Sequence, residues 1–345
     1  MKTQHIGTRR SVYTNSFALK NMQRLISFDI AKAICIILVV IGHYVPDYSP
    51  QWYVGVHDVI YTFHMPLFMF ASGFIYMATK KDIPYWNFLL KKVKRLMVPY
   101  LSVSAIVITI KLLTEGHAYV ENPVTWMSYV KMLYLPEAGY FLWFIWALWW
   151  MFVISPLFKT KQMRLGLLVL AIVLHYIPNI LPEIFCLSQF QSMLVYFILG
   201  AVCCDWKQQI SFVSKVPAWC VLGFFAIAEG MNLMDMWGQI SMLLPYLGIA
   251  AIIAFSSLME KWNSKSNEWL MVVSSSSYII YLFHTTFEGF AKAVVHKIPF
   301  FTDGNDVLFI INAFVVVGCG VVCPIILHRY VLNKSHITKI MFGLK

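Results

Sequence analysis

The chain has 345 residues, of which 59% are apolar and 12% charged, with a net charge of +11. A soluble domain carries about a quarter of its residues as charges, so this composition excludes an ordinary soluble fold and identifies a polytopic membrane protein. The positive charge lies in short segments between apolar runs rather than on one folded basic face, which makes it topology information and excludes nucleic acid as the partner.

The first 23 residues are polar and basic, without the apolar core and cleavage site of a signal peptide, and are read as a cytoplasmic tail. Runs long enough to cross a hydrocarbon layer of about 30 Å follow in order. They are 27–45, 59–77, 96–113, 140–158, 165–177, 190–204, 216–234, 240–258, 270–290 and 307–330, the fifth and sixth being short. With the N-terminus inside, 22 of the 27 Lys and Arg fall in cytoplasmic segments, as the positive-inside rule requires. The expected fold is an all-α integral membrane bundle of about ten transmembrane helices with both termini cytoplasmic. Residues 24–331 form one membrane domain, and 332–345 form a cytoplasmic C-terminal tail. The seven cysteines are scattered and make neither a disulfide framework nor a metal-ligand pattern.

The first run organises the rest. It reads Arg24-Leu-Ile-Ser-Phe-Asp29-Ile-Ala-Lys32, continues apolar, and closes on Val39-Val40-Ile41-Gly42-His43. Ionisable groups in a spanning helix are costly and face protein or a water-filled cavity, so Asp29, Lys32 and His43 on one helix point to a functional site. His43 lies roughly 28 Å of helix rise beyond Arg24, in the outer part of the bilayer. His64, just inside the second run, and His284, roughly 21 Å along the ninth, fall at similar depth. Arg24, Asp29, Lys92 and Arg95 fall at the inner mouth. The expected site is two-ended, with charge at a cytoplasmic entrance and imidazoles near the exit.

Each signal also has a structural reading. His43 is equally a polar end to its helix. His64 is placed to satisfy backbone groups freed by Pro66, which has no N–H to donate. Asp29 and Lys32 make a buried ion pair, Ser72-Gly73 permits close helix packing, and the serines 274–277 are packing or capping groups. From these signals alone, a membrane enzyme and a transporter or exporter of a glycan are both open.

The ordered set of motifs resembles the membrane acyltransferase-3 family. Arg24, Asp29 and Lys32 leading to His43, then Phe63-His64-Met65-Pro66-Leu67-Phe68 with Ser72-Gly73, look like its first two helices. The similarity continues through Lys92-Val93-Lys94-Arg95-Leu96 with Pro99-Tyr100, Leu142-Trp143-Phe144, and Ser277-Tyr278-Ile279-Ile280-Tyr281-Leu282-Phe283-His284. The nearest branch resembles fucose 4-O-acetylases. One departure is Lys92, where the family commonly has arginine; lysine keeps the charge and loses the bidentate fork for phosphate.

The resemblance implies an O-acetyltransferase in the inner (cytoplasmic) membrane. Such an enzyme moves an acetyl group from cytoplasmic acetyl-CoA to a hydroxyl of a surface glycan or lipid-linked sugar, among membrane lipid. No metal is expected, because the histidines lie on different helices. The resemblance implies Arg95, Lys92, Arg24, Asp29 and Lys32 at the acyl-CoA entrance and His43 as general base or transient acyl carrier. It also implies His64, His284, Tyr281, Trp143 and Ser72 around the acceptor.

Overall fold

The computed structural model describes residues 26–46, 49–114, 123–207, 209, 216–262, 265–295, 297 and 306–344. Arg24 and the N-terminal tail lie outside the described residues. Every described element is helical, as a chain in lipid must be to bond its own backbone groups.

All ten apolar runs fall on helices. They are α1 (Ile26–His43), α2 (Gln51–Ala78), α3 (Tyr85–Thr114), α4 (Tyr140–Leu157), α5 (Lys161–Tyr176), α6 (Ile184–Asp205), α7 (Ala218–Leu233), α8 (Leu244–Trp262), α9 (Lys265–Val295) and α10 (Asp306–Leu332). Eight helices among the described residues are long and apolar enough to cross a membrane; α5 and α7, at 16 residues each, are shorter. Several helices overrun their apolar runs, α2 and α3 the furthest. Helix α2 starts at Gln51, directly after Pro50, and α3 includes the basic segment from Tyr85 onward. Within α3, Val93–Met97 forms a π-helical turn, and a second one spans His328–Leu332 in α10.

Helices α2 and α6 form the closest crossing. A Cβ on Gly73 would lie 1.8 Å from the carbonyl oxygen of Phe197, and one on Gly200 would lie 2.0 Å from that of Phe70. Only glycine admits backbones this near, and the loss of side-chain area is repaid by dispersion contact along both helices. The core around this crossing is fully buried and aromatic-rich, including Tyr100, Tyr196 and Phe197. Large apolar side chains such as Phe314, Trp219 and Phe224 point outward instead, the pattern of a lipid-facing surface.

Polar braces tie the helix ends. Arg164 of α5 pairs with Asp205 of α6 and donates to the carbonyls of Phe158 and Lys159. At the opposite end of the same two helices, the fully buried Gln191 accepts from the amides of Ile180 and Leu181 and donates to the carbonyls of Leu174 and Pro178. The C-terminal segment is also docked. Helix α11 (His336–Met341) leads to Phe342, buried against Phe283, and to Gly343 at φ +63°, which lies against Pro99 and the backbone of Arg95.

Candidate active site

Helix α1 carries the site between its two ends. Asp29 and His43 are 14 residues apart, roughly 21 Å of rise, and each end of α1 meets the matching end of α9.

At the His43 end, α1 stops because Pro46 disfavours helix in the residue before it. The carbonyls that this leaves without intrahelical donors are met by α2. The Tyr53 hydroxyl lies 2.7 Å from Ile41 O and 2.8 Å from Tyr44 O, and Tyr61 donates to Gly42 O at 3.2 Å. Gly42 has no side chain to keep the Tyr61 ring away; a Cβ there would sit 2.9 Å from it. His43 is thereby fixed at a capped helix end. Its ring meets that of His284 edge to face at 4.9 Å between centroids, and Phe141 closes the triangle at 6.1 Å from His43 and 5.2 Å from His284.

His284 is fully buried. Its Nδ1 lies 2.8 Å from Tyr281 O and 3.1 Å from Ile280 O. Carbonyls only accept, so Nδ1 carries the proton and Nε2 of the neutral ring presents a lone pair. Nε2 has no hydrogen-bond partner among the described residues. The Tyr281 hydroxyl is engaged with Phe141 O at 2.6 Å. It anchors the first turn of α4 and sets the Phe141 ring against both imidazoles.

His64 is buried, with Nδ1 2.8 Å from Ile60 O of its own helix. The carbonyl deprived of a donor by Pro66 is that of Thr62, four residues back, so His64 does not serve it. Tyr61 lies edge-on to His64 at 4.7 Å, stacks on His57 at 4.1 Å and donates to Gly42 O, so it links both imidazoles to the end of α1. Trp143 makes its ring contact with Phe144, which in turn packs on Tyr281. Ser72 lies eight residues along α2 from His64, roughly 12 Å of rise, and sits beside the Gly73 crossing instead.

At the other end, Asp29 accepts from Ser274 of α9 at 2.9 Å and pairs with Lys32 at 3.2 Å. Ser276 and His328 of α10 approach to 3.1 Å. Two of the serines in the run 274–277 thus brace the bundle. Lys92 turns into an aromatic box, its ammonium 3.4 Å above the Phe152 ring and 5.3 Å from that of Phe88. Arg95, in the π-helical turn, is exposed. Of the entrance set, then, Asp29 and Lys32 are joined, Lys92 is held apart from them, and Arg95 is open to the surface.

Comparison with sequence families matches residues 25–329 to a family described as an acyltransferase domain, which takes in both ends of the site. The chain belongs to the acyltransferase-3 family. It is an acyltransferase domain carried on membrane-spanning helices. Among curated proteins it is similar to the nodulation protein NolL of Sinorhizobium fredii, 30% identical over 142 residues, which is 40% of this chain and 37% of that protein. The nodulation protein NolL of Mesorhizobium japonicum is 29% identical over 142 residues, 40% of this chain and 36% of that protein. The matched stretch spans little more than a third of either relative. No solved structure matches the chain.

Several neighbours of the candidate site escape a reading of the sequence. Phe141 and Phe144 look like members of an interfacial aromatic belt, and nothing local marks the first as a ring against His284 or the second as one against Tyr281. Tyr53 and Tyr61 precede or begin the apolar part of α2, yet their hydroxyls cap α1. Glu288 carries a visible signal, standing one helical turn after His284 within an otherwise apolar span.

Proposed function

We propose that this acyltransferase moves an acetyl group from acetyl-CoA, entering at the Asp29 end from the cytoplasm, to a carbohydrate hydroxyl presented at the His43 end. The acceptor is a surface glycan or lipid-linked sugar, and the protein sits in the inner membrane as ten spans with both termini cytoplasmic. The observation that carries the reading is the paired imidazoles of His43 and His284, set roughly 21 Å of helix rise from a charged mouth on the same helix. A pantetheine arm of about 20 Å spans that depth, so a nucleotide at the mouth and a thioester at the imidazoles are compatible.

Arg95 receives the phosphates of the coenzyme by charge-assisted hydrogen bonds. Lys92 supports that mouth from its aromatic box, with Arg24 nearby in sequence and the Asp29–Lys32 pair below it. His43 is the general base. It takes the proton of the acceptor hydroxyl as the oxygen attacks the thioester carbonyl; the new C–O bond forms, the C–S bond breaks, and the proton passes to the departing thiolate, giving an ester and free coenzyme. His284, with Nδ1 protonated and Nε2 free, holds a second acceptor atom beside the reacting hydroxyl. Tyr281 is a positioning residue that acts through Phe141, while His64 and Trp143 orient the acceptor from the sides.

Membrane vesicles supplied with acetyl-labelled acetyl-CoA and a cell-surface glycan fraction test the reading. It requires label on the glycan as an alkali-labile ester, and a lower apparent affinity for acetyl-CoA after Arg95→Ala. Glycan that stays unlabelled, or crosses the membrane without need of acetyl-CoA, would remove it in favour of an exporter.

A further inference from the structure

Helix α9 presents His284, Glu288 and Lys292 at successive intervals of four, the spacing that aligns side chains on one face of a helix. His284 meets the His43 ring directly, and the Lys292 ammonium lies 5.6 Å from the ring of Tyr44, the residue after His43. Glu288 stands between them. It is 2% exposed, and its Oε1 has no hydrogen-bond partner among the described residues. Native proteins pair nearly all such atoms, so an orphaned buried carboxyl oxygen needs an explanation, and a ligand absent from the structure is one.

The neighbouring helices leave a niche for this carboxyl. A Cβ on Gly320 of α10 would lie 3.0 Å from Glu288 Oε1, 2.9 Å from its Cγ and 2.7 Å from Cγ1 of Val40, one turn before His43. Any other residue at position 320 would press on the Glu288 side chain. The hydroxyls of Tyr53 and Tyr61 are held by the α1 carbonyls already described and make no bond to Oε1. Two unpartnered buried acceptors, His284 Nε2 and Glu288 Oε1, therefore stand one helical turn apart, about 6 Å of rise, on the helix face that carries His284.

We propose that Glu288 is a specificity-determining residue for the acceptor. Its Oε1 receives a hydroxyl of the sugar other than the one acylated, so the site selects a polyol that spans one helical turn between the imidazoles and the carboxyl. No bond is made or broken at Glu288. The proposal rests on the reading of the chain as a carbohydrate O-acyltransferase.

The test compares wild type, Glu288→Ala and Glu288→Gln in detergent, titrating a solubilised cell-surface glycan fraction against acetyl-labelled acetyl-CoA. Losing a hydrogen bond to the Glu288 carboxyl raises the KM for glycan about threefold to tenfold in Glu288→Ala. The change in KM exceeds that in kcat, while the Kd for acetyl-CoA is unaltered. Glu288→Gln, which keeps an acceptor oxygen and the shape, recovers part of the loss. An unchanged glycan KM in Glu288→Ala overturns the proposal, as does an equal fall of kcat, acetyl-CoA binding and thermal stability in both variants. Wild-type protein that binds acetyl-CoA yet labels no glycan overturns the parent reading instead.

Discussion

The imidazole of His43 on α1 meets that of His284 on α9 edge to face, with centroids 4.9 Å apart, and Asp29 of α1 meets Ser274 of α9 at the opposite end. These two contacts fix the register of the first and ninth helices. They bring together a capped helix end and a ring whose tautomer is set by its own helix.

Residues that act as one unit are not additive. His43→Ala and His284→Ala each lower acetyl transfer, by about 10²–10⁴-fold where the general base is lost, and the double variant is no slower than the slower single one. Tyr281→Phe removes the hydrogen bond to Phe141 O and lowers kcat with acetyl-CoA binding retained. Initial rates at saturating donor, alongside equilibrium binding of acetyl-CoA, check both statements.

The two entrance cations have different surroundings and separate by experiment. Arg95→Ala weakens acetyl-CoA binding and reduces its salt dependence, because an exposed guanidinium is lost from the mouth. Lys92→Met removes an ammonium from over Phe152 and Phe88, a contact worth about 0.5–2 kcal/mol, so it lowers thermal stability more than donor affinity. Donor titrations at two salt concentrations and thermal unfolding in detergent distinguish the pair.

The backbone contact of α2 with α6 makes a stability prediction with an internal control. Gly73→Ala and Gly200→Ala drive a methyl into a carbonyl and destabilise by about 1–3 kcal/mol or more. Gly223→Ala in α7 has nothing within 4 Å of the new methyl; it is neutral or stabilising, since glycine inside a helix costs about 1 kcal/mol against alanine. Denaturant unfolding in micelles measures all three.

Arg164 and Asp205 are both nearly inaccessible, with side chains 6% and 9% exposed. Arg164→Ala leaves a buried carboxylate unpaired and costs about 3–5 kcal/mol. Replacing both partners by apolar residues of similar volume costs much less, a difference that a double-mutant cycle measures directly.

The helices were legible in the sequence because lipid leaves backbone groups no other partner, so hydropathy alone finds them. The overrun of α2 from Val59 back to Gln51 was not, since Gln51, His57 and Asp58 interrupt the apolar run while the helix continues through them. Counting residues at 1.5 Å each placed His43, His64 and His284 at one depth. It does not tell where side chains turn. The Tyr281 hydroxyl is taken by Phe141, and Lys92 faces Phe152 rather than Asp29. Those outcomes depend on rotamers chosen by partners on distant helices. Glu288 is hidden by the apolar span around it, although its place one turn after His284 is open to view.

The most direct test is acetyl transfer from labelled acetyl-CoA to endogenous glycan in membrane vesicles, comparing wild type with a stably inserted His43→Ala protein that still binds acetyl-CoA. Loss of labelled ester with binding retained is the predicted result and places His43 at the chemical step. Transfer at the wild-type rate in His43→Ala would contradict the account.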